Sequence, residues 1–444
     1  MDCKIKSIIN EIRLIIFGKD FPCVSHYDVI IVGAGIIGLS SAYYIKMRDS
    51  SLRILVVDKQ PTYAQGNTGR SAAGFRDLFT SDINFNLSHS SIAFYRHVNE
   101  NELDIGMKFV GYLFLLPEKN DLDEYWASLS KKTPLREIQE SDLSKIKALR
   151  LIPDKETGDL ISAPAVTHAV IGENCGIVEP DLICKYYYDH LRSMEVEFMF
   201  STEVKGLRLV PESPLNYPGE PFLWQKKTIG SILTDRGELT AEQFILATDV
   251  WTGALTDPVG IDSHVRPKKR EIFQVSGDVA ENILHTEGLN DYGILPFTIM
   301  PKSGVYIRPA PKERSLWIGV ADNIGRSFSF EEDPQADADF YQMNLRPVME
   351  AYWRNYDKTK VTSMWAGHYC YNTLDKAPFI FRSMNTVIAD GTSGSGILKG
   401  DSIGRFVSSA FFSDDKVKLY DGTVMETAAL GVEGRNVPVE KIIL

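Results

Sequence analysis

Between Tyr27 and Asp58 the chain reads as a buried apolar strand (YDVIIV), a glycine turn (GAGIIG), a helix (LSSAYYIKMRD) and a second apolar strand (LRILVVD). No other stretch limits the fold so strongly, because that order commits the beginning of the chain to a βαβ unit. Gly33-Ala34-Gly35-Ile36-Ile37-Gly38 fits G-x-G-x-x-G between strand and helix. Gly33 permits the tight turn, Gly35 lets backbone approach a pyrophosphate, and Gly38 lets helix and strand pack closely. Ile36 and Ile37 open the helix, whose free N–H groups and dipole favour phosphate. Asp58 ends the second strand, where a carboxylate accepts hydrogen bonds from a ribose diol, with Lys59 beside it. A glycine-rich packing turn is the bland alternative, but strand, helix and terminal acid together point to a bound dinucleotide. The same unit accounts for the uncharged run between Asp28 and Lys46, which is just short of a membrane span.

The rest of the chain is read more coarsely. Residues 79–104 and 119–150 read as helical, FVGYLFLLP (109–117) as a strand, and PDLICKYYYDHLRSM followed by VEFMFS as a second αβ unit. Four prolines within 211–221 mark a surface loop. Short alternating strands recur over 263–325 and predict an antiparallel sheet. Residues 333–356 read as a helix, NTVIAD as a late strand, and DSIGRFVSSAFF as the closing helix. The expected class is α/β, with a Rossmann-type nucleotide domain interleaved with an α+β domain built on an antiparallel sheet. The nucleotide domain takes 27–84, 172–262 and 370–444, and the second domain takes 85–171 and 263–369. Residues 1–26 form an amphipathic extension, with Ile5, Ile8, Ile9, Ile12, Ile15 and Ile16 on one stripe. Packing of residues 1–20 on the chain itself or on a sister subunit is the first expectation there, and contact with a membrane surface the second.

Composition excludes several classes. A net charge of −11 leaves no general basic surface for nucleic acid. Five cysteines without a CxxC pair read as reduced thiols in a cytoplasmic setting and give no metal site. His89, His97, His168 and His190 lack metal-ligand spacing.

Four further segments carry a resemblance: GNTGRSAAGFR (66–76), FILATDVWTGAL (244–255), NTLDKAPFI (372–380) and GTSGSGILKGDSIGR (391–405). With the glycine turn, the chain resembles the D-amino-acid oxidase superfamily of FAD-dependent amine oxidoreductases. It is most similar to the branch of sarcosine oxidase, dimethylglycine dehydrogenase and dye-linked proline dehydrogenase. The resemblance covers about 27–420 and implies FAD as the cofactor. It places Thr68, Ser71 and Ala72 on one flavin-contacting loop, and Ala247, Thr248 and Trp251 on a strand-turn segment. Gly391, Gly394, Ser395, Gly396, Ile397 and Lys399 fall on the loop and helix that meet the flavin ring. Val204 would offer backbone hydrogen bonds to the adenine, and Asp58 and Lys59 would face the ribose.

On the substrate side the resemblance puts Arg76 where a carboxylate-binding arginine stands, and a guanidinium can grip a carboxylate with two parallel bonds. Tyr306 would line the same pocket; Arg308 is taken to lie off that face. The chain departs from the family pattern at four places. His368 stands where a flavin-linking cysteine is found, with Cys370 two residues on, so non-covalent FAD is expected. Trp317 replaces a lysine that aids reaction with oxygen, which favours a dehydrogenase passing electrons to a carrier protein or a quinone. Leu398 replaces a substrate-binding lysine, with Lys399 one register out. Asp249 replaces a glycine, so that turn is expected to differ. Arg76, Tyr306 and Lys399 are the catalytic candidates. The expected reaction is oxidation of an amine or amino acid such as sarcosine, dimethylglycine or proline to an imine. Oxidation of a 2-hydroxy acid or glycerol 3-phosphate, or a non-catalytic role in assembly, are the alternatives.

Overall fold

The strand Tyr27–Val32 is central to a six-stranded sheet, and its apolar run is unbroken because both faces are covered. Val29 and Ile31 pack under helices on one side; Ile30 and Val32 pack on the other. Ile54–Val57 and Ala241–Leu246 flank it in parallel. Glu197–Met199 and Thr386–Asp390 extend the sheet in parallel, and Phe379–Ser383 closes it as an antiparallel edge. The computed structural model describes residues 27–118, 123–322 and 325–442, so the amphipathic helix expected within 1–26 lies outside the described residues.

One face of this sheet carries the helices Ile36–Arg48, Asp82–Asn101, Pro180–Ser193 and Gly396–Phe412. The other carries a three-stranded meander, Val204–Pro211, Lys227–Thr234 and Gly237–Leu239. This is a Rossmann-type layer arrangement, and it leaves the carboxyl ends of the parallel strands open for a ligand.

A second sheet has eight strands, in the order Lys360–Asn372, Val265–Ser276, Ser315–Val320, Val305–Ala310, Phe297–Ile299, Tyr112–Leu116, His168–Gly172 and Leu135–Gln139. All neighbours are antiparallel except Phe297–Ile299 with Tyr112–Leu116. The α/β class with a second, largely antiparallel sheet is therefore what the chain adopts.

Three local expectations need correction. The stretch 119–150, read as helical, contains the strand Leu135–Gln139; it is an edge strand whose only deeply buried side chain is Ile138, so two-fold alternation is faint. The helix expected over 333–356 is a short turn at Ala338–Phe340, a π turn at Tyr341–Leu345 and a helix at Arg346–Tyr352. Pro347 stands in the first turn of that last helix, where it gives up no intrahelical hydrogen bond. The closing helix begins at Gly396, one turn before the stretch the sequence suggested.

Candidate FAD and substrate site

A cleft of about 400 Å³ runs from the carboxyl ends of the parallel strands to the face of the second sheet. Its first end is built by the glycine turn. Gly33 N–H donates to Val57 O at 2.8 Å, and Ala247 N–H donates to Val32 O at 2.9 Å. These bonds lock the turn between its flanking strands. Asp58 accepts from Ala34 N at 2.7 Å and Gln60 N at 2.8 Å, which holds its carboxylate at the strand end. Lys59 sits 3.9 Å over the Trp251 ring, and both reach Glu332.

Gly33, Gly35, Ile36, Ile37, Asp58, Lys59 and Val204 line this end. Thr68, Ser71, Ala72, Ala247, Thr248 and Trp251 line the middle. Gly394, Ser395, Gly396, Ile397 and Lys399 line the far wall, with Arg76 and Tyr306. Gly38 and Gly391 do not. Gly38 packs under the turn, and Gly391 takes a left-handed φ of +70° behind it. All four sequence segments therefore meet at one cleft.

The lining fits a flavin dinucleotide. Among the described residues His368 Nδ1 is buried there without a hydrogen-bond partner, and Asn67 Nδ2 and Asp390 Oδ2 have only the Asp249 and Thr252 side chains, respectively, beyond ideal hydrogen-bond geometry. Unpaired buried polar atoms are costly, and ribityl hydroxyls or a flavin edge would satisfy them. Asp249 takes a left-handed backbone, at φ +53°. Its carboxyl accepts from Val250 N at 2.7 Å, and burial pushes its pKa up to about 6. Asp390, also buried, is pushed up to about 7 and accepts from Cys370 Sγ at 2.7 Å.

The far end is aromatic and cationic. Tyr112 stacks on Phe297 at 4.2 Å and 3°, and Phe297 lies 5.1 Å from Tyr306. Gly74 leaves room for the Tyr112 hydroxyl, which would lie 1.9 Å from a Cβ there. Arg76 is 5% exposed; its guanidinium lies 4.2 Å over Phe79 and donates to Leu78 O and, at 3.0 Å, to Ile442 O. Lys399 is fully buried, 4.4 Å from the same ring, and donates to Asn84 Oδ1 at 2.7 Å and Ser395 Oγ at 2.6 Å. Burial, opposed by Glu440 and assisted by Arg76, brings the Lys399 pKa down to about 7. Among the described residues neither cation forms an ion pair closer than 4 Å.

Two expectations change. Tyr306 and Arg308 are two residues apart on one strand and so share a face. Arg308 is buried at 1% exposure and turned to Ala72 O (3.1 Å) and Val178 O (3.4 Å), behind the loop that lines the cleft. Trp317 does not line the cleft; it lies under the Arg308 guanidinium at 4.2 Å. Sequence reasoning also passed over Tyr112, Phe297, Arg270, Lys376, Glu440 and Ile442, which all line the cleft. Only distant pairing brings them there.

This is the fold and cleft of a flavin-dependent oxidoreductase. Residues 28–410 match the family described as "FAD dependent oxidoreductase", and the chain belongs to that family. It is 26% identical over 421 residues to "FAD-dependent oxidoreductase domain-containing protein 1" of Xenopus laevis, spanning 86% of this chain and 78% of that protein. Among solved structures, glycine oxidase from Geobacillus kaustophilus superposes with a TM-score of 0.69 at 18% identity, covering 93% and 99% of the two chains. L-proline dehydrogenase from P. horikoshii gives 0.67 at 20% identity, covering 87% and 93%.

Proposed function

We propose that the chain oxidises a small amine or amino acid bearing a carboxylate, with non-covalent FAD as the hydride acceptor for the C–H bond beside nitrogen; the product is an iminium, which becomes an imine on losing its N–H proton to water where the amine carries one. Secondary amines such as sarcosine, dimethylglycine or proline are the first candidates. The observation that carries this reading is the pair Arg76 and Lys399, two buried basic side chains at the aromatic end of the cleft that form no ion pair among the described residues. A carboxylate placed there gains charge-assisted hydrogen bonds in a low-dielectric site. Arg76, joined by Lys399 below about pH 7, disfavours an ammonium, so the substrate binds with its amine neutral and its lone pair free. Tyr112, Phe297 and Tyr306 supply flat walls that hold the reacting carbon in one orientation. The relatives named for glycine oxidase and L-proline dehydrogenase support an amino-acid substrate. Cys370 supports non-covalent binding, since burial pushes its thiol pKa up and its proton is held by Asp390. His368 lacks a carboxylate partner, and burial lowers its pKa. The test is a panel of amines, amino acids, 2-hydroxy acids and glycerol 3-phosphate with a dye acceptor. Dye reduction by a carboxylate-bearing amine is expected; reduction by hydroxy acids or glycerol 3-phosphate alone sinks the reading.

Electrons pass to a carrier other than oxygen in this reading. Trp317 brings no charge and stands off the cleft, the neighbouring Arg308 is committed to two carbonyls behind the loop, and Arg270, which lines the cleft, is already paired with Asp322 at 3.2 Å. Dye reduction under air should outrun peroxide release by about tenfold or more, as expected when a cation worth about 1.4 kcal/mol or more to the oxygen step is missing. Equal rates would remove the argument from Trp317.

Lys399 gives this site a pH dependence. Its folded pKa is lowered to about 7, so the ammonium is present below that pH and is lost above it. Acetate, read by its perturbation of flavin absorbance, should bind progressively more weakly as pH rises through 7, with deprotonation of Asp249 near 6 and Asp390 near 7 in the same cleft adding to the fall. Lys399→Met should make the profile shallower by removing the lysine's share. An unchanged profile in the variant would assign the titration elsewhere.

A further inference from the structure

The segment 435–442 is a part of the cleft that no motif marks. Arg435 grips Asp375 with two bonds, Nε to Oδ2 at 2.6 Å and Nη2 to Oδ1 at 2.8 Å, with both side chains 6% exposed. Glu440 N–H donates to Asp375 O at 3.2 Å. The Glu440 carboxylate then crosses to the other side of the cleft. It accepts from Thr80 N (2.9 Å) and Oγ1 (2.8 Å) and from Ser81 N (3.2 Å) and Oγ (3.1 Å), at the start of the helix Asp82–Asn101. A carboxylate bonded to free N–H groups at a helix N-terminus is a strong tether. Beyond the second anchor, Lys441 N–H donates to Thr80 Oγ1 at 3.1 Å and Ile442 N–H to Glu440 Oε1 at 3.0 Å, which lays residues 440–442 along the cationic end. There Ile442, 2% exposed, lines the cleft and its carbonyl takes the Arg76 Nη2 proton at 3.0 Å.

We infer that this strap is the specificity-determining wall of the substrate pocket: it limits the site to small carboxylates, of the size of glycine, sarcosine or proline. The inference rests on the reading of Arg76 as the carboxylate anchor. Arg76 has one N–H already given to Ile442 and another to Leu78. A carboxylate is a better acceptor than a neutral carbonyl and takes the guanidinium in its place or beside it. What it carries on its other side must then fit against the Ile442 side chain. Even with the Arg76 bond given up, Ile442 N–H stays on Glu440 Oε1, Lys441 N–H stays on Thr80 Oγ1, and Glu440 itself is held by Thr80 and Ser81, so the wall does not swing away to admit a larger group.

The test uses the FAD-loaded protein and titrates acetate, butanoate and benzoate by flavin absorbance. The comparison is between the natural chain, a chain ending at Pro438, and the milder Ile442→Ala. Both changes are expected to raise the benzoate-to-acetate affinity ratio by about tenfold or more, the discrimination a packed wall provides over one or a few carbon atoms. Should the longer deletion not retain FAD, Ile442→Ala alone decides, and an unchanged ratio overturns the strap. Arg76→Ala separates the two ideas. Weaker acetate binding in that variant with no change of ratio in the strap variants keeps the anchor and discards the strap. A shifted ratio with acetate binding untouched by Arg76→Ala discards the anchor. If no acid perturbs the flavin of any of these proteins, both are wrong.

Discussion

Gly33→Ala is expected to yield a chain that folds but no longer retains FAD through purification. Gly33 has φ +107°, and a Cβ there would lie 2.3 Å from Ala247 O, a backbone atom that cannot turn away. Ala247 is fixed in turn by its bond to Val32 O. An L-residue in that conformation against a fixed carbonyl costs about 3 kcal/mol or more. The turn can relieve the strain only by leaving the shape that phosphates require, so FAD affinity should fall about a hundredfold or more. The effect is read as FAD per chain after desalting and as a dissociation constant from flavin fluorescence on adding FAD back. Gly38 is a second position of the same kind, since its Cβ would lie 1.8 Å from Gly33 O. Wild-type FAD content in Gly33→Ala would mean that the turn does not hold the dinucleotide.

Arg76→Ala should leave FAD in place and cripple substrate use. The guanidinium is buried, faces no carboxylate within ion-pairing distance among the described residues, and stands at the opposite end of the cleft from the glycine turn. Removing a buried charge partner of a carboxylate costs about 2–4 kcal/mol, which is about 30- to 1,000-fold in KM. Arg76→Lys should recover only part of this, because an ammonium cannot make two parallel bonds. Arg76 also ties Leu78 O and Ile442 O, so a lower melting temperature is expected as well. The structural part is separated by the substrate: an amine without a carboxylate should show little change in KM. An equal loss for both kinds of amine would make Arg76 a structural residue only.

How much of this was legible in the sequence follows from how local each feature is. The βαβ unit was readable because glycine spacing, strand hydrophobicity and Asp58 all lie within one stretch. Arg76, Tyr306 and Lys399 were found through a resemblance, and the structure brings all three to one end of the cleft. Its tertiary contacts were not readable. Glu440 meets Thr80 across 360 positions of sequence, in a stretch (VPVEKIIL) that carries no periodic signal. Leu135–Gln139 looked helical because an edge strand buries too little for alternation to show. Strand alternation puts Arg308 on the face of Tyr306, but its own bonds to Ala72 O and Val178 O draw it behind the cleft-lining loop, and no local pattern shows that.

The central claim is that the cleft oxidises a carboxylate-bearing amine, and anaerobic flavin reduction tests it without any acceptor. The FAD-loaded protein is mixed under argon with sarcosine, dimethylglycine, proline and glycine in turn, and the flavin band is followed. The account expects complete bleaching by at least one of them, slowed about 30-fold or more in Arg76→Ala at a fixed subsaturating concentration. A flavin that stays oxidised with every amine and amino acid, in a protein that dithionite reduces normally, would contradict it.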